Sequence, residues 1–482
     1  MIQKSTKIVA TISDKRCEIA FIRELYMSGM NVVRMNSAHL DKEGFAKIIS
    51  NVRAVSNQIG ILMDTKGPEV RTTIALDDAI EIKAGDEIKI VGNPELQSTI
   101  ECIAVNYPYF VRDLQIDDHI LFDDGEIDLK VVSKDADALT CLALNDGVLG
   151  SRKSVNVPGV RINLPSLTER DKQNILYAIQ QRIDFIAHSF VRNKQDLMDI
   201  QAILDEHHSP IKIISKIENQ EGVDNIDEIL EHTYGVMIAR GDLGIEVAQE
   251  KIPGIQRRLI RKCVQARKPV IVATQMLHTM IKNPRPTRAE VTDIANAIYY
   301  RTDALMLSGE TAYGKYPVEA VKTMASIAYE AEKTKMTEND IPIEISTNDI
   351  TSFLSHAAVQ AAQQVGTKAI ITDSYTGSTA LCLAAYRGEI PVYAICYKEQ
   401  TPRFLALSYG VFPEYKADRD SNTQRYFIES LQILTKKGLI SEEDTVCYTS
   451  GSFGLGFGTT FLEVNQVKKI FASRSHYLLP NF

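Results

Sequence analysis

One rhythm constrains this 482-residue chain more than anything else. Short apolar runs rich in β-branched residues return every roughly 24 to 34 residues, at 8–11, 32–36, 61–64, 185–189, 211–216, 236–240, 270–275 and 304–308. Runs of this length and composition read as strands buried on both faces, and most of the segments between them carry helical spacing, as around Leu197 to Leu204 and Leu259 to Val264. Eight parallel strands alternating with helices describe a (β/α)8 TIM barrel, a fold whose chemistry sits at the carboxyl ends of the strands. Those ends carry Thr11, Arg34, Asn36, Asp64, Ser189, Lys216, Glu218, Asp242, Thr274, Gln275 and Ser308. Any one of them could be an ordinary polar strand exit. Eight polar exits together point to a site.

The rhythm fails once, between Asp64 and Phe185. There the sequence shows short alternating strands and turns, as in Ala79-Ile-Glu-Ile-Lys and His119-Ile-Leu-Phe-Asp-Asp-Gly. An inserted all-β lid is expected over 70–160, within a discontinuous barrel spanning 1–69 and 161–335. Beyond the polar stretch that begins at Lys335, the runs at 368–372, 392–396 and 445–449 alternate with helical segments, so 336–482 reads as a separate C-terminal α/β domain.

Hydrophobic residues at 44%, charged ones at 24% and a net charge of -8 are ordinary for a globular protein. No basic run is interleaved with aromatics, which argues against a nucleic-acid partner, and no stretch approaches a membrane span. The amino terminus holds only a four-residue apolar stretch and reads as no signal peptide. Seven dispersed cysteines, without zinc spacing, suggest reduced thiols and a cytoplasmic setting.

Among the motifs, Lys216 and Glu218 close one apolar run and Asp242 follows another, which brings one ammonium and two carboxylates to a single mouth. Lysine and a divalent ion spread the negative charge of a phosphoryl in transfer, and hard carboxylate oxygens suit Mg²⁺ or Mn²⁺. A structural ion pair between Lys216 and Glu218 is the plain alternative. Gly309 to Tyr316 fits a P-loop pattern up to its last position, where Tyr316 replaces the small hydroxyl that ligates Mg²⁺; its glycines more simply shape a turn before a helix. Thr372, Ser374, Thr376, Gly377, Ser378 and Thr379 follow a strand and open a helix, a place for an anion or for ordinary capping. The glycine-rich run 451–458 reads as a flexible loop that could lie over that anion. His207 and His208 read as a solvated turn, whereas His39 lies close to Arg34 and Asn36.

Several long segments in one order resemble the pyruvate kinase family over essentially the whole chain. They are Thr6-Lys-Ile-Val-Ala-Thr-Ile, Arg34-Met-Asn36, Met63-Asp64-Thr65-Lys66-Gly67-Pro68-Glu69-Val70-Arg71-Thr72, Gly147 to Gly159, Ser215-Lys216-Ile217-Glu218-Asn219, Met237 to Gly244, Ala273-Thr274-Gln275-Met276-Leu277, Pro286 to Val291 and Met306 to Ala312. The resemblance implies transfer of the phosphoryl group of phosphoenolpyruvate to ADP, a C-terminal domain that binds a phosphorylated effector, and a homotetramer. By motif it implies that Lys216 stabilises the phosphoryl, Glu218 and Asp242 hold Mg²⁺ or Mn²⁺, and Gly241, Asp242 and Thr274 orient the substrate carboxylate. Arg34 would meet the substrate phosphate; Arg71 and Lys153, with Asn36 and His39 beside them, would face the nucleotide. K⁺ would use Asn36, Asp64 and Thr65, and Glu69 is like the residue of potassium-dependent members.

The departures are specific. The family's Asn-Phe-Ser-His reads Asn36-Ser37-Ala38-His39, so the serine expected at K⁺ has become Ala38, and either Ser37 or water takes its place or K⁺ activation weakens. Ser13-Asp14-Lys15 replaces a Gly-Pro turn. Tyr300-Arg301 replaces an Asp-Gly, in a connection expected near a subunit contact. Two other functions remain open at this point: a divalent-metal lyase or aldolase acting on pyruvate-like enolates, and a non-catalytic metabolite sensor.

Overall fold

The computed structural model describes residues 4–76, 78–336, 339–346, 348–416, 423–451 and 458–473. Residues 452–457 of the glycine-rich run and Thr337 and Glu338 of the polar connector lie outside them. All eight apolar runs form strands: β1 (Lys7–Thr11), β2 (Val32–Asn36), β3 (Gly60–Asp64), β4 (Phe185–His188), β5 (Lys212–Ile217), β6 (Gly235–Ala239), β7 (Val270–Ala273) and β8 (Ala304–Leu307). Each pairs in parallel with its chain neighbour, and β8 pairs back onto β1 with Lys7 opposite Ala304, which closes the barrel.

Four strands stop short of their apolar runs, β8 among them with Ser308 already the cap of the next helix. Ser189 turns away from β4, Arg240 opens the helix Arg240–Glu246, and Thr274 and Gln275 adopt left-handed backbones with φ of 69° and 55°. Hydropathy carries on through these positions while the backbone is already bending over the mouth. The surrounding helices start where the sequence supplies caps: Thr168 with Asp171 and Thr287 with Glu290 each form a reciprocal capping box. Their apolar faces bury the large core between helices and strands, Ile22, Ile48, Leu197, Leu259 and Met324 among it.

The barrel's interior is filled by Val9, Val32, Leu62, Phe185, Ile214, Met237, Ile271 and Met306, and its floor by three residues of the C-terminal region, Phe404, Ala406 and Leu407. The Phe404 ring meets Phe185 edge-on at 6.2 Å between centroids. Two buried ion pairs tie the same end: Arg403 Nε donates to Asp184 Oδ1 at 2.6 Å, and the guanidinium of Arg387 binds Asp303. Arg301 belongs to this end as well. Its side chain is buried and turned inward, binding Asp340 at 2.6 Å and the carbonyls of Tyr299 and Met336. The guanidinium thus braces the connection from within the chain.

The inserted region carries a six-stranded sheet in the order Val155–Asn156, His119–Phe122, Ile127–Lys134, Leu139–Ala143, Glu87–Val91, Cys102–Ala104, together with a separate pair, Ala79–Ile82 and Gly147–Gly150. Pairing is antiparallel except for its last two strands, and one short helix, Phe110–Asp113, interrupts it. The alternation of exposed and buried residues along Ala79–Ile82 and Glu87–Val91 is the half-buried pattern the sequence displays. The C-terminal sheet comprises β9 (Ala369–Ser374), β10 (Val392–Cys396), β11 (Val411–Tyr415), β12 (Thr445–Ser450) and β13 (Phe461–Gln466), in the order β11-β10-β9-β12-β13, with only β13 antiparallel. The edge strands β11 and β13 were not among the sequence-derived runs. All seven cysteines are free thiols.

Candidate active site

Lys216 lies in the last turn of the ladder of β5, and its register beside Met237 points its amine into the mouth of the barrel. The ammonium meets three partners: Ser189 Oγ at 2.8 Å, Asp64 Oδ1 at 3.2 Å and Glu218 Oε1 at 2.8 Å. Arg34 braces the opposite side of Asp64, with Nε at 2.7 Å from Oδ2 and Nη1 at 3.1 Å from Thr11 Oγ1. Strand pairing of Thr11 with Arg34 and of Asn36 with Asp64 brings these exits side by side.

The charges are buried, so each fixes the state of the next. Burial alone would lower the Lys216 ammonium, but Asp64, Glu218 and Asp242 together hold it above the ordinary lysine value. For Asp64, burial works upward and is outweighed by Arg34 and Lys216, which keep its carboxyl below the usual range. Glu218 goes the other way: burial, helped by the nearby charges of Asp242 and Asp64 and opposed by Lys216, pushes it up to about 7. Its Oε2 accepts the backbone N–H of Phe190 at 2.8 Å. Its Oε1 is buried and pairs with the Lys216 ammonium at 2.8 Å. Among the described residues there is no group of three or more His, Cys, Asp or Glu able to hold a metal by themselves.

Asp242 sits in the first turn of Arg240–Glu246, half-buried, and its charge acts on both Lys216 and Glu218. Gly241 N–H donates to Thr274 Oγ1 at 2.8 Å, so Gly241, Asp242 and Thr274 form one rim. The strained turn at Thr274 is held from behind by Arg240, which donates to the Thr274 carbonyl at 2.7 Å and pairs with Asp293.

Other sequence candidates lie further out. Arg71 and Lys153 share the base of the lid through the Arg71↔Ser154 bridge, but their charged ends bind Glu69 at 2.8 Å and Asp123 at 2.5 Å and do not join the Lys216 cluster. Asn36 is half-buried, its Oδ1 taken by the Ala38 N–H at 3.0 Å; His39 is exposed. Thr65 is buried, with Oγ1 accepting Ser189 N–H at 3.0 Å, and Ser37 Oγ is buried without any partner. In the C-terminal sheet Thr372 is fully buried and donates to the Asp373 carbonyl, and Ser374 Oγ accepts Gly377 N–H. Thr376 and Ser378 are the exposed hydroxyls there; Thr379 meets Thr459, and Gly377 turns left-handed at φ 94° where the helix Ser378–Ala385 begins.

Sequence reasoning placed Ser189 at a strand exit without giving it a task; it is the neutral acceptor for Lys216. Phe190 and Arg240 were given no role. The only hint was position, immediately beyond a strand end.

Comparison with known proteins agrees with this geometry. The family model described as "Pyruvate kinase, barrel domain" matches residues 3–321, and "Pyruvate kinase, alpha/beta domain" matches 353–464. A pyruvate kinase of Borreliella burgdorferi is 46% identical over 98% of this chain and 100% of its own length, and one of Geobacillus stearothermophilus is 42% identical over 98% of this chain and 81% of its own. A solved pyruvate kinase from Cryptosporidium parvum superposes with a TM-score of 0.90 at 34% identity, covering 96% of each chain. A chain with this closed barrel, inserted sheet and C-terminal sheet, matched along nearly its whole length, belongs to the pyruvate kinase family.

Proposed function

We infer that the chain moves the phosphoryl group of phosphoenolpyruvate to ADP, giving pyruvate and ATP. The observation that carries this reading is the buried ammonium of Lys216 between two carboxylates at the barrel's mouth. Lys216 stabilises charge on the phosphoryl in flight. Glu218 and Asp242 would hold Mg²⁺ or Mn²⁺; hard carboxylate oxygens suit such an ion, and Asp64, Glu218 and Asp242 together carry more negative charge than Lys216 and Arg34 balance. When bound, the ion supplies positive charge to the phosphate and enolate oxygens. Gly241, Asp242 and Thr274 orient the substrate carboxylate, Arg34 meets the phosphate, and water near Thr274 protonates the enolate. Arg71 and Lys153, with Asn36 and His39, take the nucleotide, which requires their acidic partners, Glu69 and Asp123, to release them.

K⁺ is proposed at Asn36, Asp64 and Thr65. Ser37, whose buried hydroxyl has no partner, is the candidate to stand in for the serine that Ala38 replaces. A phosphorylated effector at Thr372 to Thr379, with the exposed Thr376 and Ser378 foremost, a division into domains at 1–69 with 161–335, 70–160 and 336–482, a homotetramer and a cytoplasmic location complete the proposal; no helix among the described residues is long and apolar enough to cross a membrane. Family membership disfavours the lyase, aldolase and sensor readings. Incubating the purified chain with phosphoenolpyruvate, ADP and Mg²⁺ should give pyruvate and ATP in equal amounts, and pyruvate without ATP would overturn the assignment.

A further inference from the structure

Phe190, the second residue past β4, has φ 56°, a backbone that a ring-bearing residue adopts only where its surroundings hold it. Two neighbours do so. Its N–H donates to Glu218 Oε2 at 2.8 Å. Its ring lies against Gly67, where the chain leaves β3 for the lid: a Cβ built on Gly67, itself at φ 71°, would stand 3.0 Å from Phe190 Cδ2. The same ring lines a crease of about 490 Å³ between barrel and lid, together with Pro68, Val70, Val157 and Ile162. One residue therefore touches a buried carboxylate with its backbone and the lid's point of departure with its side chain.

We propose that Phe190 is a positioning residue for the divalent ion, and that its ring, wedged at Gly67, ties the pose of the Glu218 carboxylate to the posture of the lid. By occupying Oε2, its N–H fixes the rotation of the carboxylate and so sets where Oε1, the oxygen beside Lys216, is presented at the mouth. Closing or opening the lid moves Gly67 against the ring and, through the strained peptide, adjusts how Glu218 is presented. The inference rests on the reading of Glu218 as an ion ligand.

The test is Mn²⁺ binding to the full chain without substrate, read as free Mn²⁺ by electron paramagnetic resonance. Phe190→Gly keeps the N–H but frees the backbone and empties the crease, and should weaken binding about tenfold, as loss of a partner that orients a ligand does. Phe190→Leu, which refills the crease, should stay within about threefold of the parent chain. Mn²⁺ binding by Phe190→Gly equal to that of the parent overturns the proposal. Glu218→Gln separates the two layers: if it too binds Mn²⁺ normally, the ligand reading has failed; if it alone loses Mn²⁺, only the role of Phe190 has. Hydrogen exchange on the unmutated chain gives a readout independent of any variant's folding. Mn²⁺ should slow exchange in peptides covering 185–192 and 66–71 together, and slowing in neither overturns the proposal.

Discussion

The two ends of the barrel use the same residue types to opposite ends. At the floor, Asp184 is shared by Arg53, Arg403 and the Ile61 N–H, and Asp303 by Arg387 and the N–H groups of Val270 and Tyr409. Both aspartates have their oxygens occupied by donors. At the mouth, one ammonium, Lys216, is shared by Asp64 and Glu218 with Asp242 close by, next to a backbone twisted left-handed at Phe190, Thr274 and Gln275. Carboxylates locked by arginine and backbone donors fix one arrangement, whereas carboxylates that share a single ammonium leave negative charge for a cation to balance. The supply of donors, more than burial, separates scaffold from site here.

Exchanging the losses between the two ends is the sharpest way to break this comparison. Lys216→Met should lower turnover in a coupled pyruvate assay by a factor on the order of a thousand, since one preorganised charge is worth about 10²–10³ or more in a site of this kind. Asp303→Ala should do the reverse, costing about 3–5 kcal/mol in urea unfolding because Arg387 is left buried without its partner, while turnover per folded molecule stays near that of the parent. If Asp303→Ala loses activity and keeps its stability, the division of labour between floor and mouth is wrong.

A smaller effect tests the wall between them. His188, at the end of β4, is buried, its Nε2 has no partner and its Nδ1 lies 3.4 Å from Thr65 Oγ1; burial lowers it from 6.5 to about 4. The unfolded chain therefore takes up this proton first as the pH drops. The stability it protects is complete above about pH 6.5 and is lost as the pH falls toward 4, amounting to about 3 kcal/mol at most. Urea unfolding at pH 7.5, 5.5 and 4.5 should show a steeper acid loss in the parent than in His188→Gln; parallel slopes would sink the idea. Smallest of all is the expected coupling from the C-terminal sheet. Fructose bisphosphate, ribose 5-phosphate or AMP should shift half-saturation by phosphoenolpyruvate about fivefold, and Ser378→Ala should abolish the shift. No response to any of the three in the parent would remove the anion site.

Much of this was legible in the sequence, because periodicity reports burial and every barrel strand is buried on both faces. The exits Lys216, Glu218 and Asp242 could be read as one mouth once the barrel was inferred. The edge strands β11 and β13 escaped for the converse reason: Val411–Tyr415 contains a proline, and Phe461–Gln466 is half-buried at every position, so neither stands out as an apolar run. Local pattern is equally silent on the pairing of Asp184 with Arg403, 219 residues away in the chain, and on the left-handed turns at Phe190 and Thr274, which surrounding contacts impose on residues with no preference for them. Arg71 and Lys153 were legible as partners of a nucleotide through family likeness alone. Their charged ends pair with Glu69 and Asp123, neighbours that no local pattern announces.

The stopper formed by Phe404, Ala406 and Leu407 has a consequence for any attempt to simplify this molecule. A polypeptide cut after the last barrel helix would uncover a greasy disc ringed by Asp303, stripped of Arg387, and Asp184, left with Arg53 as its one arginine. It would be expected to clump or melt instead of standing as a minimal catalyst, so the carboxy-terminal third is a foundation of the cylinder before it is anything else.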